Sequence, residues 1–131
     1  MKCLIADDEI TNRFMLLNLM SKYFYCDVAV NGREAFDAFE RAHHEGRPYD
    51  LICLDVIMPE MDGHQVLMLI REKEKALGLK DEQMVKVIVM SAFVESEEVH
   101  EIFDDTENCA YLGKPITKQD YLMQLAKFGL V

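Results

Sequence analysis

The residues of this chain best suited to chemistry stand at the ends of short apolar runs. Asp7, Asp8 and Glu9 follow the run 2–6, Asp55 follows 51–54, Ser91 follows 85–90, and Lys114 comes just after 109–112. Carboxylates gathered in one place repel each other, and either a proton or a cation must relieve the repulsion. An all-oxygen set prefers a hard ion. With few protein carboxylates and room for water and phosphate oxygens, it suits magnesium better than a closed calcium cage. The EF-hand loop pattern is absent. A divalent ion, a lysine ammonium and a hydroxyl converging on a carboxylate would stabilise charge on a transferring phosphoryl group. A carboxylate can itself be the nucleophile and form an acyl phosphate, and Asp55 is the best candidate. No GxxxxGK[ST] loop is present to bind a nucleotide.

These residues act together only if the elements that carry them converge. The apolar runs 2–6, 26–30, 51–54, 85–90 and 109–112 have the length of strands. Between and after them lie stretches with helical spacing: Ile10, Phe14 and Leu17; Ala35, Phe36, Phe39 and Ala42; Val66, Leu67 and Ile70; Val99, Ile102 and Phe103; Leu122, Leu125 and Phe128. Asn31-Gly32 opens the second helix and Gly46 and Pro48 close it, while Thr117 with Asp120 reads as a capping box for the last. The stretch 77–84 reads as a loop, and Pro59, Asp62 and Gly63 as a turn leading into a helix.

Alternation of this kind predicts an α/β fold, a doubly wound five-stranded parallel sheet with helices on both faces. The first, third and fourth runs are nearly continuous in apolar residues, as strands buried on both faces are; the second carries Asp27 and the fifth is short. That predicts the flavodoxin-like order 2-1-3-4-5. Ligands of such sheets bind outside the carboxyl ends of the strands, where the order reverses, here between the first and third. Neighbouring strands lie ~4.8 Å apart, so Asp55 is expected close to Asp7 and Asp8, with Ser91 and Lys114 on the same rim.

With 131 residues the chain is expected to form one domain with no separate output module. Half of it is hydrophobic and 29% charged, the balance of a folded protein. The 24 acids against 14 bases, a formal charge of -10, argue against nucleic acid or anionic lipid as a direct partner. Cys3, Cys26, Cys53 and Cys109 are spread singly and read as small buried residues in a reducing compartment. No apolar run approaches the ~20 residues of a membrane span and no signal-peptide pattern opens the chain, so a cytoplasmic location is expected.

Four segments together make the pattern specific. ADDE at 6–9, DVIMPEMDG at 55–63, MSA at 90–92 and YLGKP at 111–115 resemble the response regulator receiver domain of two-component signalling systems, chemotaxis regulators among them. The resemblance covers the chain from end to end. It implies that Asp55 is the phosphoacceptor, Asp8 a direct ligand of magnesium (or manganese) and Asp7 a ligand through water, with the backbone carbonyl of Ile57 completing the protein's share. It also implies that Lys114, followed by a cis bond to Pro115, pairs with the phosphoryl group, that Ser91 hydrogen-bonds it, and that Tyr111 is the aromatic whose orientation reports phosphorylation. Ile57 and Phe93, apolar where relatives vary, are expected to flank the site and shield the acyl phosphate from water. The implied partners are a histidine kinase or histidine phosphotransfer protein as donor and a downstream effector protein as target. The helix around Val99 would be part of the signalling surface.

Simpler readings compete for single residues. An acidic pair alone suits a helix start, Lys114 alone a solvated lysine, Ser91 alone a loop hydroxyl, and Tyr111 alone a packing residue of an edge strand. Their return to one predicted rim favours the joint reading. His43 and His44 read as a solvated pair. The acids Glu95, Glu97, Glu98, Glu101, Asp104, Asp105 and Glu107, with no Lys or Arg among them, form either a solvated helix face or a docking face for a basic partner. Two rival functions remain: a receiver fold that takes no phosphate and serves only in interactions, and a magnesium-dependent phosphohydrolase. The latter would need a second acid two residues after the nucleophile, where Ile57 stands. The expectation is a signalling module, not an enzyme beyond self-catalysed phosphoryl acceptance and slow loss.

Overall fold

The computed structural model describes residues 1–92 and 108–131. Strands β1 (Lys2–Ala6), β2 (Tyr25–Ala29), β3 (Leu51–Asp55), β4 (Lys86–Ser91) and β5 (Cys109–Gly113) alternate with helices α1 (Ile10–Met20), α2 (Gly32–His44) and α3 (Gly63–Ala76), and α4 (Lys118–Lys127) follows β5. The five strands form one parallel sheet in the order β2-β1-β3-β4-β5, as the apolar runs predicted. The stretch expected to be helical around Val99, Ile102 and Phe103 lies outside the described residues, as do Phe93 and the acids from Glu95 to Glu107. No helix among the described residues is long and apolar enough to cross a membrane.

Side-chain alternation divides the core in two. Leu4, Ile52, Leu54, Val87 and Val89 point to one face, where Phe39 of α2 and Val66 and Ile70 of α3 cover them. Cys3, Ile5, Cys53, Ile88 and Met90 point to the other, under Leu16 and Met20 of α1 and Tyr121 and Leu125 of α4. β3 is buried along its whole length because it has a strand on each side and helices on both faces. The edge position of β2 accounts for Asp27, half-buried and accepting a 2.7 Å hydrogen bond from the Tyr49 hydroxyl.

The helix signals act as expected. Asn31 accepts from the Glu34 amide at the start of α2, Asp62 and Gln65 form a capping box on α3, and Thr117 and Asp120 form another on α4. Four local expectations need correction. The inward face of α1 is Leu16, Leu19 and Met20, whereas Ile10 and Phe14 are each 59% exposed. Residues 77–84 contain a short 3₁₀ helix, Asp81–Gln83. His43 is not simply solvated: its ring meets Phe39 edge-on, with centroids 4.8 Å apart. Cys26, on the edge strand, is only half-buried, unlike the other three cysteines.

Away from the carboxyl ends of the strands, a polar network ties α3 to β4 and to the start of β5. Glu74, fully buried, accepts from the Val85 amide at 2.8 Å and from Arg71 at 2.6 Å. Arg71 also donates to the carbonyls of Val85 and Asn108, each at 3.0 Å. Lys86 and Asn108 close it, with Lys86 Nζ 2.6 Å from Asn108 Oδ1. A buried carboxylate is tolerated only with its partners in place, and here its own helix supplies one and the residue just before β4 the other.

Candidate functional site

Asp7 and Asp8 follow β1 directly, and Asp55 is the last residue of β3 itself. Because these strands pair side by side, each of the three offers a carboxylate oxygen within 4.8 Å of the others'. Asp7 is fully buried and Asp55 6% exposed, while Asp8 is exposed, so the cluster is a deep carboxylate pair with an outer one at its mouth.

The two deep carboxylates are held differently, Asp7 by a main-chain amide alone and Asp55 by an amide and a side chain. The Glu9 amide donates to Asp7 Oδ1 at 2.9 Å, and Arg13 of α1 donates to the Asp7 carbonyl at 2.9 Å. The Ile57 amide lies 3.4 Å from Asp55 Oδ1, and Lys114 Nζ lies 3.2 Å from Asp55 Oδ2. Asp7 Oδ2, by contrast, is buried with no hydrogen-bond partner among the described residues. Burial pushes the Asp7 carboxyl up to about 6; the Glu9 amide opposes this, the charge of Asp55 adds to it, and Lys114 opposes it again. An orphaned buried oxygen beside two other carboxylates fits a small hard cation, whose charge would relieve the repulsion and whose coordination shell would take the free lone pair.

The backbone around Asp55 is closely packed. A Cβ on Gly63 would sit 2.4 Å from the Asp55 carbonyl oxygen, and the Gly63 amide donates to the Val56 carbonyl at 2.8 Å. Glycine here lets α3 start directly against the strand that carries Asp55. The preceding turn uses a left-handed Glu60, with φ of 72°. The segment read from sequence as a turn is therefore a turn that places the site.

The other predicted residues arrive as follows. Ser91 ends β4 with 2% exposure, and its carbonyl accepts from the Lys114 amide at 2.8 Å, fixing the loop that carries the ammonium. The Lys114-Pro115 bond is cis, and Pro115 is exposed. Tyr111 lies in register with Val89 and is buried in the core on the α2/α3 side. Ile57 stands 64% exposed at the edge of the carboxylate cluster. Phe93 lies outside the described residues. A cavity of about 440 Å³ adjoins the cluster, lined by Asp7, Asn12, Met15, Met90, Lys114 and Tyr121 among others. A larger groove, about 1040 Å³, opens near Lys2, Tyr25 and Asp50, and none of the three acids reaches it.

Arg13 was not legible as part of this site. No motif singles it out, and the start of α1 beside the end of β1 brings it to the Asp7 carbonyl.

Comparison with known proteins agrees with this geometry. The family model of the response regulator receiver domain matches residues 3–126. Hybrid signal transduction histidine kinase A of Dictyostelium discoideum is 33% identical over 129 residues, covering 98% of this chain and 6% of that kinase. The chain thus spans a small part of the curated relatives it matches first. Among solved structures, the CheX-CheY-BeF3-Mg+2 complex from Borrelia burgdorferi gives a TM-score of 0.77 at 25% identity, covering 97% of this chain and 88% of the other. The Saccharomyces cerevisiae complex of the histidine phosphotransfer protein Ypd1 with the receiver domain of Ssk1 gives 0.79 at 22% identity, covering 98% and 88%, a likeness of fold. With its sheet order, its acidic rim and the family model all in agreement, the chain belongs to the response regulator receiver domain family.

Proposed function

We propose that this chain accepts a phosphoryl group on Asp55 from the phosphohistidine of a histidine kinase or phosphotransfer protein. The observation that carries the reading is the convergence of Asp7, Asp8 and Asp55 within 4.8 Å, with Lys114 Nζ 3.2 Å from Asp55 Oδ2. An Asp55 oxygen attacks phosphorus; the P–O bond forms as the P–N bond of the donor imidazole breaks, and the product is an acyl phosphate. Lys114 offers its ammonium to the transferring oxygens, and its 31% exposure leaves it free to follow them. Asp7, Asp8, Asp55 and the Ile57 carbonyl would hold magnesium, with manganese as a substitute. The ion supplies positive charge against the incoming phosphoryl oxygens.

Phosphorylation replaces one carboxylate by a group of roughly -2 charge with three strong acceptors. In this reading Ser91 donates its hydroxyl to that group, and Tyr111, packed beside β4, shifts into the space it leaves. The surface around β4 and β5 then changes and controls a downstream effector protein. The shift is one of populations between two arrangements. The family match and the kinase relative support a role in signalling, and the absence of an acid at Ile57 speaks against a phosphohydrolase.

The experiment is incubation with magnesium and a small acyl phosphate, followed by intact mass. A gain of one phosphoryl group that is absent in Asp55→Asn supports the reading. A wild-type chain that neither labels nor binds a phosphoryl mimic would make it a receiver fold used only for interaction.

A further inference from the structure

Three of the four cysteines share one face of the sheet. Cys3 on β1 and Cys53 on β3 are fully buried in the core under α1 and α4, and Cys26 on β2 packs against the same cluster. Cys109 belongs to the opposite core. The register pairs Cys3 directly with Cys26, whereas Cys53 pairs with Ile5 and so stands diagonal to Cys3. Directly paired residues of neighbouring strands have Cα atoms ~4.8 Å apart, inside the ~4.4–6.8 Å over which a disulfide closes. Core filling accounts for Cys3 and Cys53. Cys26 differs from them in being only half-buried, on a strand that is the edge of the sheet among the described residues.

The two paired thiols are electronically unequal. The neighbouring Cys3 thiol lowers Cys26 to about 7, with Ser21 adding to the effect while burial and Asp27 oppose it. Burial first, and then Cys26 and Cys53, push Cys3 well up, so Cys3 keeps its proton, and its thiol donates to the Leu4 carbonyl at 3.8 Å. Near neutral pH such a pair has one accessible thiolate and one inner thiol beside it, the arrangement of an attacking and a resolving cysteine.

We propose that Cys26 is a site of reversible oxidation by a hydroperoxide, and that Cys3 resolves the product to a β1–β2 disulfide. The Cys26 thiolate attacks one oxygen of hydrogen peroxide, and the O–O bond breaks. Sulfur is oxidised by two electrons to the sulfenic acid, and the departing hydroxide is protonated to water. The Cys3 sulfur then attacks the Cys26 sulfur. The S–O bond breaks, the S–S bond forms, and hydroxide leaves with the Cys3 proton as a second water. Two thiols and one peroxide thus give one disulfide and two waters, and a small-molecule dithiol reverses the change. This chemistry is separate from phosphoryl acceptance and needs none of its residues.

The test treats the full chain with a small excess of hydrogen peroxide at neutral pH, traps free thiols by alkylation, and maps the peptides by mass spectrometry without reduction. The expected product is a linked Cys3–Cys26 pair, lighter by two hydrogens and restored by dithiothreitol. Cys26 should react about tenfold faster than Cys53 or Cys109. In Cys3→Ala, the sulfenic acid should persist at Cys26 and be captured by dimedone. Reaction first at Cys53 or Cys109, or oxidation of wild-type Cys26 without the link to Cys3, would overturn the proposal. The wild-type map decides the matter alone if Cys3→Ala does not fold.

Discussion

Lys114 Nζ lies 3.2 Å from Asp55 Oδ2, and the two residues reach each other across β4, whose last residue, Ser91, holds the Lys114 amide through its carbonyl at 2.8 Å. The ammonium is thus aimed by a main-chain bond and not only by its own charge. Lys114→Met keeps that bond and removes the charge. Phosphorylation by a small acyl phosphate should slow on the order of a hundredfold, while the far-ultraviolet circular dichroism stays that of the wild type. An unchanged rate would remove Lys114 from the transfer step.

The unpartnered, buried Asp7 Oδ2 makes the metal-free protein electrostatically strained. Asp7→Asn should therefore raise metal-free stability by about 1 to 2 kcal/mol at neutral pH, read as a higher Tm. Magnesium at a hundred times its Kd should stabilise the wild type by about 2.7 kcal/mol. Asp8→Asn should lose most of that gain, because Asp8 is the outer carboxylate that meets an incoming ion.

Ile57 stands 64% exposed beside the carboxylates. If its side chain limits access of water to the acyl phosphate, Ile57→Asn should shorten the phosphoryl lifetime measured by intact mass after the donor is removed. An equal lifetime in the two proteins would leave the residue with no role in timing.

The Glu74 carboxylate, buried between Arg71 and the Val85 amide, organises the end of the molecule opposite the site. Glu74→Ala leaves the Val85 amide without its acceptor and the Arg71 guanidinium without its counter-charge, and should cost about 3 kcal/mol in urea unfolding. The initial rate of phosphorylation under folding conditions should hold, since the partners of Glu74 among the described residues, Arg71 and the Val85 amide, lie away from Asp55.

Cys26 has a pH signature of its own. A thiol lowered to about 7 is thiolate above that pH and protonated below it, so its alkylation rate should rise with a midpoint near 7, against ~8.5 for a free cysteine. The Cys3 thiol is the largest cause of the lowering, and Cys3→Ala should move the midpoint upward. A midpoint shared by both proteins would show that the two sulfurs do not interact.

Properties that depend on short stretches of chain were legible in the sequence. Apolar runs of strand length, helical spacing between them and capping residues such as Asn31, Asp62 and Thr117 specify the elements, because these signals act within a few residues. The contrast between the continuous run of β3 and the polar Asp27 of β2 also gave the strand order. Once that order holds, Asp7, Asp8, Asp55, Ser91 and Lys114 must share one rim. The tertiary structure alone decided relationships set by docking and register. α1 carries two apolar stripes, and which one meets the sheet depends on how the helix sits: Leu16, Leu19 and Met20 turn inward while Phe14 faces solvent. The depth of Asp7, the bond from Arg13 to its carbonyl, and the pairing of Cys26 with Cys3 arise the same way. Each joins residues that no local pattern connects, and main-chain hydrogen bonding between strands and the close packing of helices on the sheet bring them together.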